Sequence, residues 1–239
     1  MAMQQSARPP APVANRLLGT LPEEERGRLW TALEPVSLSL GHVVYEPDRQ
    51  MEHLYFPTTA VVSLLYTMED GATAEMGLVG NEGVVGIALF MGGDTTPNQA
   101  VAQVAGDALK MQARVLRQEF KRGGVFQLAL LRYTQALITQ ISQTAVCNRL
   151  HPVKKRLCRW LLLTRDRVPS DELLMTQEFI AHMLGVRREG ITHAAKRLQN
   201  AGYISYVRGD MTILNREGLE SSVCECYQVV RTEYDRLLA

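Results

Sequence analysis

The sequence predicts an α+β chain in three parts: a β-rich N-terminal half, one long helix, and a C-terminal winged helix-turn-helix. Three observations predict it. Between Val36 and Met111, short β-branched and aromatic runs alternate with Gly, Pro, Asp and Asn, the pattern of an all-β sandwich or barrel. Phe126–Leu150 has helical periodicity and no Pro or Gly. Thr176–Gln199 reads as two short helices broken at Gly185, followed by a strand–turn–strand.

Composition bounds what the chain can be. Its 239 residues give room for two cores. A hydrophobic content of 46% is that of a water-soluble globular chain. No apolar run is long enough for a membrane span, and the N-terminus lacks the apolar core of a signal peptide. These features point to the cytoplasm and to no membrane partner. The net charge of +1 hides an asymmetry: residues 149–217 hold 13 Lys and Arg against 7 Asp and Glu, and the remainder is acidic. A local excess of positive charge suits a polyanion such as double-stranded DNA, although it also describes a solvated basic face.

The elements follow in order. Residues 1–14 are Pro- and Ala-rich, and disorder is expected there. Asn15–Leu33 has helical spacing around Pro22 and its acidic neighbours, a good helix start. Strands are expected at Val36–Leu40, Val43–Tyr45, His53–Phe56, Ala60–Tyr66 and Ala72–Leu78. The β pattern continues through Gly83–Phe90 and Gln99–Val104 and closes at Leu109–Met111; helix returns near Ala113. The domains are therefore expected at 15–124, 125–150 and 151–239.

In the long helix, Leu131, Thr134, Ile138, Ile141 and Ala145 fall on a stripe close to a 3.5-residue repeat. That spacing suits a seam with a second copy, hence a homodimer, or else packing on the β domain. Pro152–Arg165 continues as a helix with Leu157, Trp160 and Leu161 inward and Lys154, Lys155 and Arg156 free for phosphate or solvent.

The helix pair carries the functional reading. Thr176 is placed to cap the first helix, which is apolar at Phe179, Ile180, Met183 and Leu184. The second has Ile191, Ala194 and Leu198 on one side. Its other side carries Arg188, Glu189, Thr192, His193 and Lys196. Arg donates to guanine and Glu accepts from cytosine in the major groove. Arg188 and Glu189 are therefore expected to read bases, with Arg187, Thr192, His193 and Lys196 on flanking bases or phosphates. Gln177, and Arg208 in the turn of the wing, are expected to hold the DNA backbone.

The order of parts and the residues Thr176, Gly185, Arg188-Glu189 and Leu198 resemble the Crp/Fnr family of bacterial transcription regulators, from about Asn15 to Leu214. The resemblance implies a β-roll (double-stranded β-helix) sensor of cyclic-nucleotide-binding shape, a dimerisation helix and allosteric control of DNA affinity. An activator of this kind also touches RNA polymerase. Cyclic-nucleotide-binding members carry a Glu for the ribose and an Arg-Ser or Arg-Thr pair for the phosphate. Here Ile87 and Pro97-Asn98 stand in those places, and no Lys or Arg occurs from Asn81 to Gln103. A buried phosphate needs a cation or several donors, so cyclic AMP is not expected in the usual mode and no effector is evident. His193 replaces the Arg usual at its position, so the preferred half-site should differ.

The remaining chemistry-bearing residues suggest less. Cys224-Glu-Cys226 has one residue between its thiols, which is not the common zinc spacing. All four cysteines (Cys147, Cys158, Cys224 and Cys226) therefore read as incidental, and no metal is expected. His42 and His53 read as surface or turn residues rather than haem ligands. Tyr45, Tyr55, Phe56 and Tyr66 read as core before effector cavity. No nucleophile–base pair or carboxylate pair suggests an enzyme; a small-molecule or protein-interaction module without specific DNA binding is the competing reading.

Overall fold

A computed structural model describes residues 14–238. The expectation for the first thirteen residues lies outside the described residues. The helical stretch is two helices, α1 (Arg16–Gly19) and α2 (Glu23–Trp30), the second starting just after Pro22 as expected. Pro22 lacks the N–H that would carry one helix through. The Asn15 side chain caps α1, and Leu33 already belongs to a strand.

Seven strands follow: β1 (Leu33–Leu38), β2 (Val43–Tyr45), β3 (His53–Pro57), β4 (Val61–Thr67), β5 (Thr73–Val79), β6 (Gln99–Val104) and β7 (Gly106–Gln112). They form two antiparallel sheets, ordered β1-β7-β3 and β2-β6-β4-β5. Pairing of β1 with β7 and β2 with β6 folds the chain back on itself as a doubled ribbon, which makes the β-roll. Alternate apolar residues such as Leu54, Phe56, Val62 and Leu109 close its core. One expectation fails here. Gly83–Phe90 is not a strand: after an isolated bridge between Tyr55 and Val85 it turns into the short helix α3 (Ala88–Met91).

After α4 (Ala113–Arg122), Gly123 and Gly124 break the chain, and α5 (Gly124–Leu150) runs for 27 residues. Its Tyr133 and Leu137 side chains sit against Gly83 and Gly77 of the roll, and Phe126 and Leu130 are buried as well. The C-terminal unit is α6 (Val153–Arg165), β8 (Glu172–Leu174), α7 (Gln177–Leu184), α8 (Arg188–Asn200), β9 (Ile204–Val207) and β10 (Asp210–Ile213), then α9 (Arg216–Ser222) and α10 (Glu225–Leu238). The strands make one sheet in the order β8-β10-β9. With three residues, β8 is too short to show a period in the sequence. Helix α10 returns to lie along α5, with the Tyr133 and Tyr234 rings edge to face at 6.3 Å.

Candidate nucleic-acid interface

Helices α7 and α8 form the expected helix-turn-helix. Thr176 accepts a hydrogen bond from the Phe179 N–H at 3.1 Å, capping α7. Gly185 ends α7 in the left-handed conformation (φ 56°, ψ 47°), which costs a residue with a Cβ about 1–2 kcal/mol. The inward faces are as expected: Ile180, Met183 and Leu184 on α7 meet Ile191, Ala194 and Leu198 on α8, all buried. Trp160 and Leu161 of α6 are buried with them, and Trp160 lies 6.5 Å from the Phe179 ring.

Burying that face leaves the opposite one in water. Arg188, Glu189, Thr192, His193 and Lys196 are all exposed on α8, and Arg187 is exposed just before it. Their spacing of i, i+4 and i+8 lines one side of a helix. Gln177 and Thr192 contact each other, the Thr192 hydroxyl donating to Gln177 Oε1 at 2.6 Å. This bond joins the two helices and leaves the Gln177 amide nitrogen as a donor. The wing is a two-residue hairpin: Val207 pairs with Asp210, and Arg208 and Gly209 take φ of 52° and 96°. Two left-handed residues match the twist of the strands they join, and Arg208 stands exposed at the tip.

The structure corrects two site expectations. Arg156 is buried and donates to the Leu184 carbonyl, so it ties α6 to the end of α7 instead of reaching phosphate. In α5, Leu131, Ile138 and Ala145 are exposed, but Thr134 is 5% exposed and donates to the Leu130 carbonyl. Ile141 is half-buried toward the roll. A 3.5-residue stripe drifts around a straight helix of 3.6 residues per turn. The apolar ridge left in solvent is therefore Leu128, Leu131, Ile138, Ala145 and Val146.

The C-terminal unit docks on the sensor through buried polar groups. Arg167 pairs with Glu82 at 2.8 Å, both side chains 6% exposed, and donates to Gln140 of α5 at 3.3 Å. Trp160 Nε1 donates to Glu75 of β5 at 3.0 Å, and Ser63 donates to the other oxygen at 2.7 Å. Burial pushes the Glu75 carboxyl up to about 7, against those hydrogen bonds and the charge of Arg159.

Inside the roll, a cavity of about 100 Å³ is lined by Tyr45, Leu64, Met76, Ile87, Asn98 and Ile141 among others, none of them Lys or Arg. Asn98 donates to the Tyr45 hydroxyl at 2.8 Å, and burial pushes that phenol up to about 12. Tyr45 thus lines the cavity, whereas Phe56 is core. Of the residues at the family's ribose and phosphate positions, Ile87 and Asn98 line this space, and they offer an aliphatic chain and a neutral amide.

One site was missed. Cys147, His151, Cys224 and Cys226 converge, their ligand atoms all within 4.8 Å of one another. Cys147 and His151 are four residues apart at the end of α5, a same-face spacing visible in the sequence. The long gap to Cys224 hid the rest.

Residues 35–122 match the family model of the cyclic nucleotide-binding domain, and residues 155–222 match that of the Crp-like helix-turn-helix domain. A sensor of that class joined to that DNA-binding domain defines a DNA-binding transcription regulator rather than an enzyme. The chain thus carries the two domains of a Crp/Fnr-type regulator. Its fold is similar to that of FixK2 from Bradyrhizobium japonicum (TM-score 0.69, 16% identity, covering 80% of this chain and 98% of that one). It is also similar to a CRP-family transcriptional regulator from Thermus thermophilus (0.66, 16%, 78% and 95%). A third is the c-di-GMP-responsive global regulator CLP from Xanthomonas campestris (0.64, 17%, 80% and 99%). No curated protein sequence matches the chain. No helix among the described residues is long and apolar enough to cross a membrane.

Proposed function

We propose that this regulator binds a two-fold DNA operator as a homodimer in the cytoplasm, placing one copy of α8 in each of two successive major-groove turns. The observation that carries the reading is the exposed polar face of α8 on a unit fixed to α5, whose own exposed ridge is apolar. Arg188 and Glu189 read base edges, and Arg187, Thr192, His193 and Lys196 contact flanking bases or phosphates. Gln177 and Arg208 hold the backbone from α7 and the wing. Leu131, Ile138 and Ala145 recur every seven residues on the α5 ridge, and a second copy would cover them.

The sensor does not take cyclic AMP in the family's usual mode. The cavity lacks a cation for a phosphodiester, and its polar groups Tyr45, Thr96 and Asn98 are already engaged with one another. A cyclic dinucleotide, to which the Xanthomonas relative responds, makes the same demand.

Selection of bound DNA from a random pool, followed by footprinting, tests the reading. The expected site is two-fold, with half-sites about 34 Å apart, one helical turn. Ile138→Arg should yield a monomer by light scattering and lose the footprint. An asymmetric footprint, or a parent protein that is monomeric on its site, would overturn it.

A further inference from the structure

Three cysteines and a histidine meet where α5 ends and α10 begins. Cys147 lies on the last turn of α5 and His151 is its C-terminal cap, while Cys224 and Cys226 flank the start of α10. The Cys147 and Cys224 sulfurs are 3.6 Å apart, and the Cys226 sulfur is 3.6 Å from His151 Nδ1. A tetrahedral zinc centre with zinc–sulfur bonds of about 2.3 Å has ligand-to-ligand edges of about 3.8 Å. The cluster therefore has the size of one ion. An iron–sulfur cluster would spread its ligands wider, because several irons and sulfides lie between them.

The surroundings fit a bound cation. The three thiols are buried, 0 to 2% exposed, where chance oxidation or solvation does not explain their grouping. Glu225 Oε1 stands 3.6 Å from His151 Nε2. A carboxylate behind a ligating histidine orients the ring and raises its basicity. Three thiolates and a neutral imidazole around a dication leave one negative charge in the interior, which needs a counter-charge. Arg156 and Arg159 of α6 supply it: both are buried, and each keeps its guanidinium Nε without a hydrogen-bond partner.

We propose that Cys147, His151, Cys224 and Cys226 bind one thiophilic divalent cation of the zinc class in a tetrahedral site. All four residues lie outside both segments matched to the family models. The ion clips the α9–α10 connection to the end of α5, beside the His151-Pro152 joint from which the DNA-binding unit departs. Binding displaces the thiol protons to solvent. Loss of the ion would release α10 from α5 and loosen the seating of that unit.

The test is metal content of the reduced full-length protein, then replacement by Co²⁺ followed by absorption spectroscopy. One equivalent per chain is expected, with the intense visible bands of tetrahedral cobalt and a sulfur-to-cobalt charge-transfer band. Cys224→Ser and Cys226→Ser should weaken the charge-transfer band, and Cys158→Ala should leave it intact. Glu225→Gln should lower affinity about tenfold in competition with a chelator. The parent's own cobalt spectrum decides the matter if the serine variants fail to fold. Absence of cobalt bands in the reduced parent would overturn the proposal. So would a Cys147–Cys224 disulfide, found by mass spectrometry, in protein that binds no metal after reduction.

Discussion

The arginines of α6 and its C-terminal turn and those of α8 are the same residue put to opposite uses. Arg156, Arg159 and Arg167 are buried, and they donate respectively to the Leu184 carbonyl, the Thr144 hydroxyl and the Glu82 carboxylate. Arg187, Arg188 and Arg197 stand in solvent. Arg156 braces α6 against α7 within the DNA-binding unit, and Arg159 and Arg167 hold that unit to α5 and to the roll; the second group gives the unit its outward charge. A basic segment is thus not a footprint in itself. Three of its 13 cations are spent inside the molecule, and only burial tells which.

The contrast can be broken at its buried side first. Arg167→Ala removes the cation from a buried pair and leaves Glu82 uncompensated, a loss of about 3–5 kcal/mol. Denaturant titration should show that loss; a change below 1 kcal/mol would mean that water reaches the seam.

Glu75 gives the next largest effect. Its carboxyl is raised from the ordinary 4.5 to about 7 by burial. The folded state therefore holds a proton that the unfolded chain has lost between those values. Stability should fall as pH rises from about 4.5 to 7 and level off above, by on the order of 3 kcal/mol from this group. Glu75→Gln keeps an acceptor for Trp160 without the titration, so its stability should lack that slope. An equal slope in the variant, measured by denaturation at pH 5 and pH 8, would assign the effect elsewhere.

The helix-turn-helix was legible in the sequence because each of its signals is local. A Thr cap, a left-handed Gly and an apolar spacing on each helix agree on one answer. The seven strands were legible for the same reason, and their nested pairing followed only from the family resemblance. What escaped depends on contacts between distant segments. Arg156 reads as a surface cation until α7 ends above it. Thr134 reads as seam until tertiary packing buries its side of α5. The Cys147–His151 pair has helical spacing, but Cys224 and Cys226 reach it only because α10 folds back. β8 has three residues and no period of its own.

In the proposed complex, α8 reads base edges through Arg188. The most direct test of this compares parent and Arg188→Ala on the selected operator and on the same site substituted base by base, at fixed salt. Arg188→Ala should lose about 1–3 kcal/mol in operator binding and relax preference at one position per half-site, with thermal stability unchanged because Arg188 is exposed. A variant that binds the operator as tightly and as selectively as the parent would contradict it.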